Sequence, residues 1–397
     1  MKEKVKVLKD TGYSVCAVVM MNVVVQFLIY PLLERHLGTA GYGDFIYMTT
    51  FINIIAATIG SGINLERMKL SINEKTCNGD FVVMIFSLFI AVIPCCIMYV
   101  IVGKVQLTVI QIIFFLILCF FTVLRNYGDV DFRLRLDYKN YFLYYLALTV
   151  GYIIGLVIGI RAKNWILIFF WGETCALIYL FVKGEVIKED PLHISANLKK
   201  NYALAMPVVT SILLSNLIFN MDRIVLKWVC GSAAVSIYYI ASLFGKTMSL
   251  ISLPLNNVAI GYLTKSKVKM DYRKVSVCAL ILLAFALVCG CLCTIGSYIV
   301  LPFLYPNTFE LSKGYFIVAN FVSVVYFITS FMTIILLRYG KEKYQLWLNA
   351  VYAILFVVIC IPACIMHGVW GMCISLLIVN LGRFVLAWGM SIYSVGK

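Results

Sequence analysis

The chain has 397 residues, of which 63% are hydrophobic and only 13% charged. No soluble fold requires that much apolar surface, and the apolar runs are long enough to cross a bilayer. The formal charge of +15 stands in short clusters between these runs. Such spacing orients a polytopic membrane protein and argues against nucleic acid as a partner.

Residues 1–10 carry Lys2, Lys4, Lys6 and Lys9. The apolar run that follows, about 11–33, is too long for a signal sequence and has no cleavage pattern, so it reads as a retained first span. Eleven more spans are expected at about 42–64, 80–102, 107–124, 141–160, 164–182, 202–226, 233–262, 275–302, 314–337, 345–366 and 370–392, each boundary good to a few residues. Alternate loops and the two ends hold 24 of the 33 lysines and arginines, while the opposite loops hold six. That bias places both termini in the cytoplasm. The fold class expected is an all-α polytopic membrane protein with about twelve transmembrane helices.

The longest loop, 183–201 (KGEVIKEDPLHISANLKKN), is charged and follows the sixth span. It divides the chain into a six-helix lobe over 1–182, a cytoplasmic linker over 183–201, and a second six-helix lobe over 202–397. With an even number of spans in each half, the lobes enter the membrane the same way, so any internal repeat would be parallel. A trace of one exists. Leu37-Gly38-Thr39-Ala40 resembles Cys230-Gly231-Ser232-Ala233 at an offset of 193 residues. The 14 cysteines fall almost entirely inside apolar runs, including Cys95, Cys96, Cys119, Cys289, Cys291 and Cys293, and read as small packing residues. Gly151, Gly155 and Gly159 form a ridge on the fifth span that lets another helix approach closely.

Chemistry concentrates in residues 216–263. Tyr239, Ser242, Lys246 and Ser249 recur at helical spacing, so they share one face with the cation near its middle. A lysine at mid-membrane costs roughly 2.5–3.5 kcal/mol on insertion scales, so such residues face water or a partner and mark functional sites. The other ionisable groups inside spans are Glu173, Asp222, Arg223 and Arg383. The cations exceed the acids, which suits a cavity that attracts an anionic group. Thr49, Asn53 and Asn64 share a face of the second span, Asn22 and Gln26 one of the first, and Asn216, Asn220 and Arg223 one of the seventh. Asn380 stands beside Arg383 in the last. No metal or cofactor site is legible, because His36, His193 and His367 lie in or beside loops without ligand spacing. The charged stretch 125–140 reads as a cytoplasmic surface loop despite Asp129 and Asp131.

Two motifs carry a resemblance. Arg35, Leu37, Gly38, Tyr42, Gly43 and Phe45 match the R-x-LG-x-x-x-YG-x-F turn after the first span of polysaccharide exporters. Asn220, Asp222, Arg223, Leu226, Gly231, Tyr238 and Ala241 match a segment of the seventh and eighth spans of the same family. With its topology, the chain resembles the Wzx-type lipid-linked oligosaccharide flippases of the MOP (MATE-like) superfamily, proteins of the bacterial cytoplasmic membrane. That resemblance implies a two-lobed bundle with a central cationic cavity. By alternating access it would move an undecaprenyl-pyrophosphate-linked repeat unit of O-antigen, capsule or exopolysaccharide from the inner to the outer leaflet. Lys246, Arg383, Arg223 and Arg35 would attract the pyrophosphate, and Asn53, Asn216, Asn220, Tyr239 and Asn380 would meet sugar hydroxyls. Glu173 and Asp222 are the candidates for ion coupling. Polysaccharide polymerase or other assembly proteins are the implied protein partners.

Two other functions compete. A MATE-type cation or drug antiporter shares the architecture but needs an acidic cavity, for which Glu173 is thin support. A membrane glycosyltransferase or polymerase would need a large loop with catalytic acids, and the outer loops are short. The chain therefore reads as a non-enzyme.

Overall fold

The computed structural model describes residues 2–71, 76–185, 188, 193–248, 271–339 and 342–395. These form helices α1 (Lys2–Val24), α2 (Tyr30–Ile55), α3 (Gly62–Leu70), α4 (Asn78–Val102), α5 (Val109–Gly128), α6 (Val130–Leu134), α7 (Tyr138–Arg161) and α8 (Trp165–Lys183). There follow α9 (Leu198–Cys230), α10 (Ser232–Ala241), α11 (Tyr272–Leu304), α12 (Pro306–Ser312), α13 (Phe316–Tyr339), α14 (Glu342–Leu355) and α15 (Ile361–Val395). No strand occurs among the described residues. The protein is an all-α, multi-pass membrane protein, as its composition requires: in hydrocarbon each backbone group must be bonded within its own helix.

Nine helical stretches among the described residues are long and apolar enough to span a bilayer. Two of them, Lys9–Leu70 with 62 residues and Trp347–Val395 with 49, exceed the roughly 20 residues one crossing needs. Each is broken by a glycine in a backbone conformation that suits glycine: Gly38 at φ 69° inside α2 and Gly368 at φ 59° inside α15. Helix α10 is a shorter apolar helix of 10 residues, and the chain after it is described only as far as residue 248. Eleven of the twelve expected spans coincide with these nine stretches, two of which are long enough for two crossings each. The span expected at 233–262 therefore lies partly outside the described residues, and so does Ser249.

One expectation is corrected. The stretch 125–134 is not a surface loop: α5 carries on past Arg125 to Gly128, and α6 follows at once. Asp129 is 4% exposed and Asp131 fully buried. The charges pair at helical spacing, Arg133 with Asp129 at 2.9 Å and Arg135 with Asp131 at 2.6 Å, which supplies the buried acids with counter-charges.

The chain divides into two compact units, Met1–His36 with Asp44–Met221, and Leu37–Gly43 with Asp222–Lys397. In the first unit α7 packs on α8 through the glycine ridge. A Cβ at Gly155 would stand 2.4 Å from the Ile168 carbonyl oxygen, and one at Gly172 only 1.9 Å from the Tyr152 ring. Tyr47 and Tyr99 stack with ring centroids 4.0 Å apart, each hydroxyl donating to the other residue's carbonyl. Asp80, fully buried, accepts from Ser195 N at 2.8 Å and Asn201 Nδ2 at 2.9 Å, which ties the end of the linker to the start of α4.

In the second unit Val324, Phe327, Ile328 and Met332 of α13 form the core with Cys289 and Cys293 of α11 and Phe384 and Ala387 of α15. Cys291, two residues from each of its neighbours, faces outward, so these cysteines pack as small apolar groups. The segment Leu37–Gly43 joins this unit by close contact. Thr39 O accepts from Ser236 Oγ at 2.6 Å, and a Cβ at Gly43 would meet Ser232 O at 1.8 Å.

Candidate functional site

Seven side chains of the second unit form a polar cluster in otherwise apolar helices. Asp222 and Arg223 come from α9, Tyr239 from α10, and Lys246 from the helical residues 243–248. Asn349 and Tyr352 come from α14, and Arg383 from α15. The helix that carries Lys246 is interrupted at Ser242 (φ −95°, ψ 3°). There the Gly245 N–H donates to Asn320 Oδ1 at 2.8 Å instead of to a turn of its own helix. A side-chain amide in that role lets a membrane helix bend without an orphaned backbone group.

Lys246 and Asp222 are an ion pair, Nζ to Oδ2 at 2.8 Å, with 15% and 8% of the side chains exposed. The other Asp222 oxygen accepts from the Arg223 backbone N–H at 2.8 Å. The Arg223 guanidinium lies 5.0 Å from the centroid of the Tyr239 ring, and Lys246 Nζ lies 4.9 Å from that of Tyr238.

Arg383 is held differently. Its Nη2 donates to Asn349 Oδ1 at 2.9 Å, and its guanidinium carbon lies 5.0 Å from both the Tyr326 and the Tyr352 ring centroids. No carboxylate forms an ion pair with it among the described residues. One helical turn away, Asn380 Nδ2 donates to Val322 O at 3.2 Å. Asn380 Oδ1 and Arg383 Nε are both buried without a hydrogen-bond partner among the described residues. The acids of this unit other than Asp222 are Asp271, Glu310 and Glu342, which stand at helix ends or in the short helix α12. Among the described residues, the cluster thus holds three cations, Arg223, Lys246 and Arg383, against one acid.

The first unit holds a separate cavity of about 120 Å³ whose polar lining includes Asn22, Thr49, Asn53, Arg125, Tyr152 and Glu173. Arg125 Nε donates to Glu173 Oε2 at 2.7 Å, and Tyr152 OH donates to Glu173 Oε1 at 2.9 Å. Both oxygens of Glu173 are therefore engaged. Arg125 is the residue that sequence reasoning missed, because it stands just past an apolar run.

The remaining expected residues belong to the first unit. Arg35 is exposed at the end of the first span, and Asn53 is exposed at the cavity. Asn216 and Asn220 turn inward on their own helix, donating to Ile212 O and Asn216 O at 2.9 Å each. Among the described residues no group of three or more His, Cys, Asp and Glu could hold a metal ion.

No protein-family model and no curated protein matches the chain. Solved structures do. The chain is similar to the lipid II flippase MurJ in an inward closed conformation, with TM-score 0.70 at 11% identity, over 99% of this chain and 87% of that one. It is similar to the Vibrio cholerae MATE transporter VcmN in its bent form, with TM-score 0.59 at 13% identity, over 98% and 96% of the two chains. It is also similar to a MOP-superfamily transporter from Pyrococcus furiosus described as having a binding pocket of reverse polarity, with TM-score 0.61 at 15% identity, over 99% and 96%. The chain thus has the fold of the MOP superfamily.

Proposed function

We propose that this protein is a flippase for a lipid-linked oligosaccharide, moving its phosphate-bearing head group from the inner to the outer leaflet by alternating access. The observation that carries the reading is Arg383, a guanidinium within the long apolar helix α15, held by an amide and two tyrosine rings and paired with no carboxylate among the described residues. A charge placed there is costly unless it serves a ligand or a partner. A guanidinium fork matches two phosphate oxygens at once, and flanking tyrosines offer the faces and hydroxyls that sugars use. The excess of cations over acids in the same unit supports an anionic cargo, and the polyprenyl tail would remain in lipid. Pyrophosphate as the anion, the Wzx-type assignment and a bacterial cytoplasmic membrane with both termini inside belong to the same proposal, as do polymerase or assembly partners.

An antiporter for organic cations needs an acid open to its cargo. Glu173 does not fit that role, since both its oxygens are occupied by Arg125 and Tyr152. The test is translocation of a fluorescent polyprenyl-pyrophosphate oligosaccharide in liposomes holding the purified protein. Movement that Arg383→Gln abolishes supports the proposal. Wild-type protein that moves no such lipid but expels ethidium would replace it with the antiporter.

A further inference from the structure

Two turns of the second unit meet at a pair of sulfurs. Cys230 is the last residue of α9, directly before Gly231 at φ 86°. Cys364 lies in α15, four residues before the Gly368 break. Their Sγ atoms are 3.7 Å apart although the residues are 134 apart in sequence. The Gly368 backbone lies against the same place, since a Cβ there would find Cys230 Sγ at 3.9 Å as its neighbour. Both cysteines stand beside turns on the side of the chain that carries few lysines and arginines. Lys227, in the last turn of α9, is the one lysine or arginine there, and residues 365–371 hold none. With both termini inside, as proposed above, both sulfurs fall at the non-cytoplasmic surface, where thiols meet oxidants.

We propose that Cys230 and Cys364 are a modification site, a disulfide that staples the end of α9 to α15. Cys364 is buried and Cys230 is partly exposed, which fixes the order of events. The Cys230 thiolate attacks one sulfur of an external disulfide, such as that of a thiol–disulfide oxidoreductase, and one thiolate of that reagent leaves. The Cys364 thiolate then attacks Cys230 Sγ, and the second reagent thiolate leaves. The two protons lost by the protein thiols pass to the two thiolates released, so one disulfide forms and one is reduced. Closing from 3.7 Å to a bond of about 2 Å is within the swing of two side chains. The bond would set the spacing between the helix that carries Asp222 and Arg223 and the helix that carries Arg383.

The experiment uses the full-length protein in intact cells, treated with a membrane-impermeant maleimide before and after a mild reductant and then read by peptide mass spectrometry. The expected result is no label on Cys230 before reduction, label after it, and a Cys230–Cys364 linked peptide in the unreduced sample. Cys364→Ser should expose Cys230 to label without reductant. Should that variant fail to accumulate, the unreduced wild-type peptide map decides alone. Labelling of Cys230 in untreated wild type, or its recovery linked to Cys360 or Cys373, would overturn the proposal.

Discussion

Lys246 Nζ stands 2.8 Å from Asp222 Oδ2, while Arg383 in the same unit rests on an amide and two tyrosine rings. The two cations are therefore in different electrostatic situations. One is neutralised within the protein and the other keeps its charge available, and the consequences differ for each.

For Arg383, replacement by Lys keeps a charge but loses the planar fork and the contact with both rings. Loss of a charge-assisted hydrogen bond is worth about 1.5–3 kcal/mol, or roughly a 10- to 150-fold drop in lipid binding. Folded yield and melting temperature should change little, since Arg383 is only partly buried. Binding of a labelled polyprenyl pyrophosphate to the variant in nanodiscs is the measurement, and unchanged affinity would contradict it.

For the pair, Asp222→Asn and Lys246→Met should each destabilise by about 3–5 kcal/mol, because each strands a buried partner charge. The double variant should recover much of that loss. A double-mutant cycle on melting temperature in detergent reads the coupling. If the two single changes simply add, the ion pair is not coupled in the folded protein.

The same logic applies to Arg125 and Glu173 in the first unit. Glu173→Gln alone leaves a buried guanidinium short of a counter-charge and should lower folded yield. Arg125→Gln with Glu173→Gln should restore yield and retain lipid translocation. Translocation that disappears in a well-folded double variant would show that this pair takes part in transport.

Helix contact provides a prediction independent of charge. Gly155→Leu must drive a side chain into the Ile168 backbone, which cannot yield as a rotamer would. Overpacking of this kind costs about 1–3 kcal/mol. At Gly12, where a Cβ meets nothing within 4 Å, substitution by Ala should leave the melting temperature near that of wild type. Equal loss at both positions would mean that α7 and α8 do not pack through this ridge.

The spans are legible in the sequence because hydrocarbon imposes one rule on every crossing helix, and the glycine ridge because close packing admits few side chains. The turns at Gly38 and Gly231, aligned from small residues alone, adopt matching backbones at φ 69°, ψ 174° and φ 86°, ψ −176°. The pairing of charges is less legible. Asp222 and Lys246 are 24 residues apart, and Arg125 and Glu173 are 48 apart, so neither pair leaves a periodic trace. Tyr326, Asn349 and Tyr352 around Arg383 read as ordinary helix residues until α13, α14 and α15 are brought together. Hydropathy falls where charges begin, so Arg125 reads as loop, although mutually paired charges extend a helix as readily as apolar groups do.

Thr39 Oγ1 lies 3.1 Å from Thr308 Oγ1, a residue 269 positions later. At a synthesis rate of about 5–20 residues per second, the Leu37–Gly43 turn leaves the ribosome roughly 13 to 54 seconds before that partner exists. The turn is thus presented early, and its contact at Thr39 is completed late. Substitutions there should delay maturation in a pulse-chase experiment more than their effect on the finished protein's melting temperature would suggest.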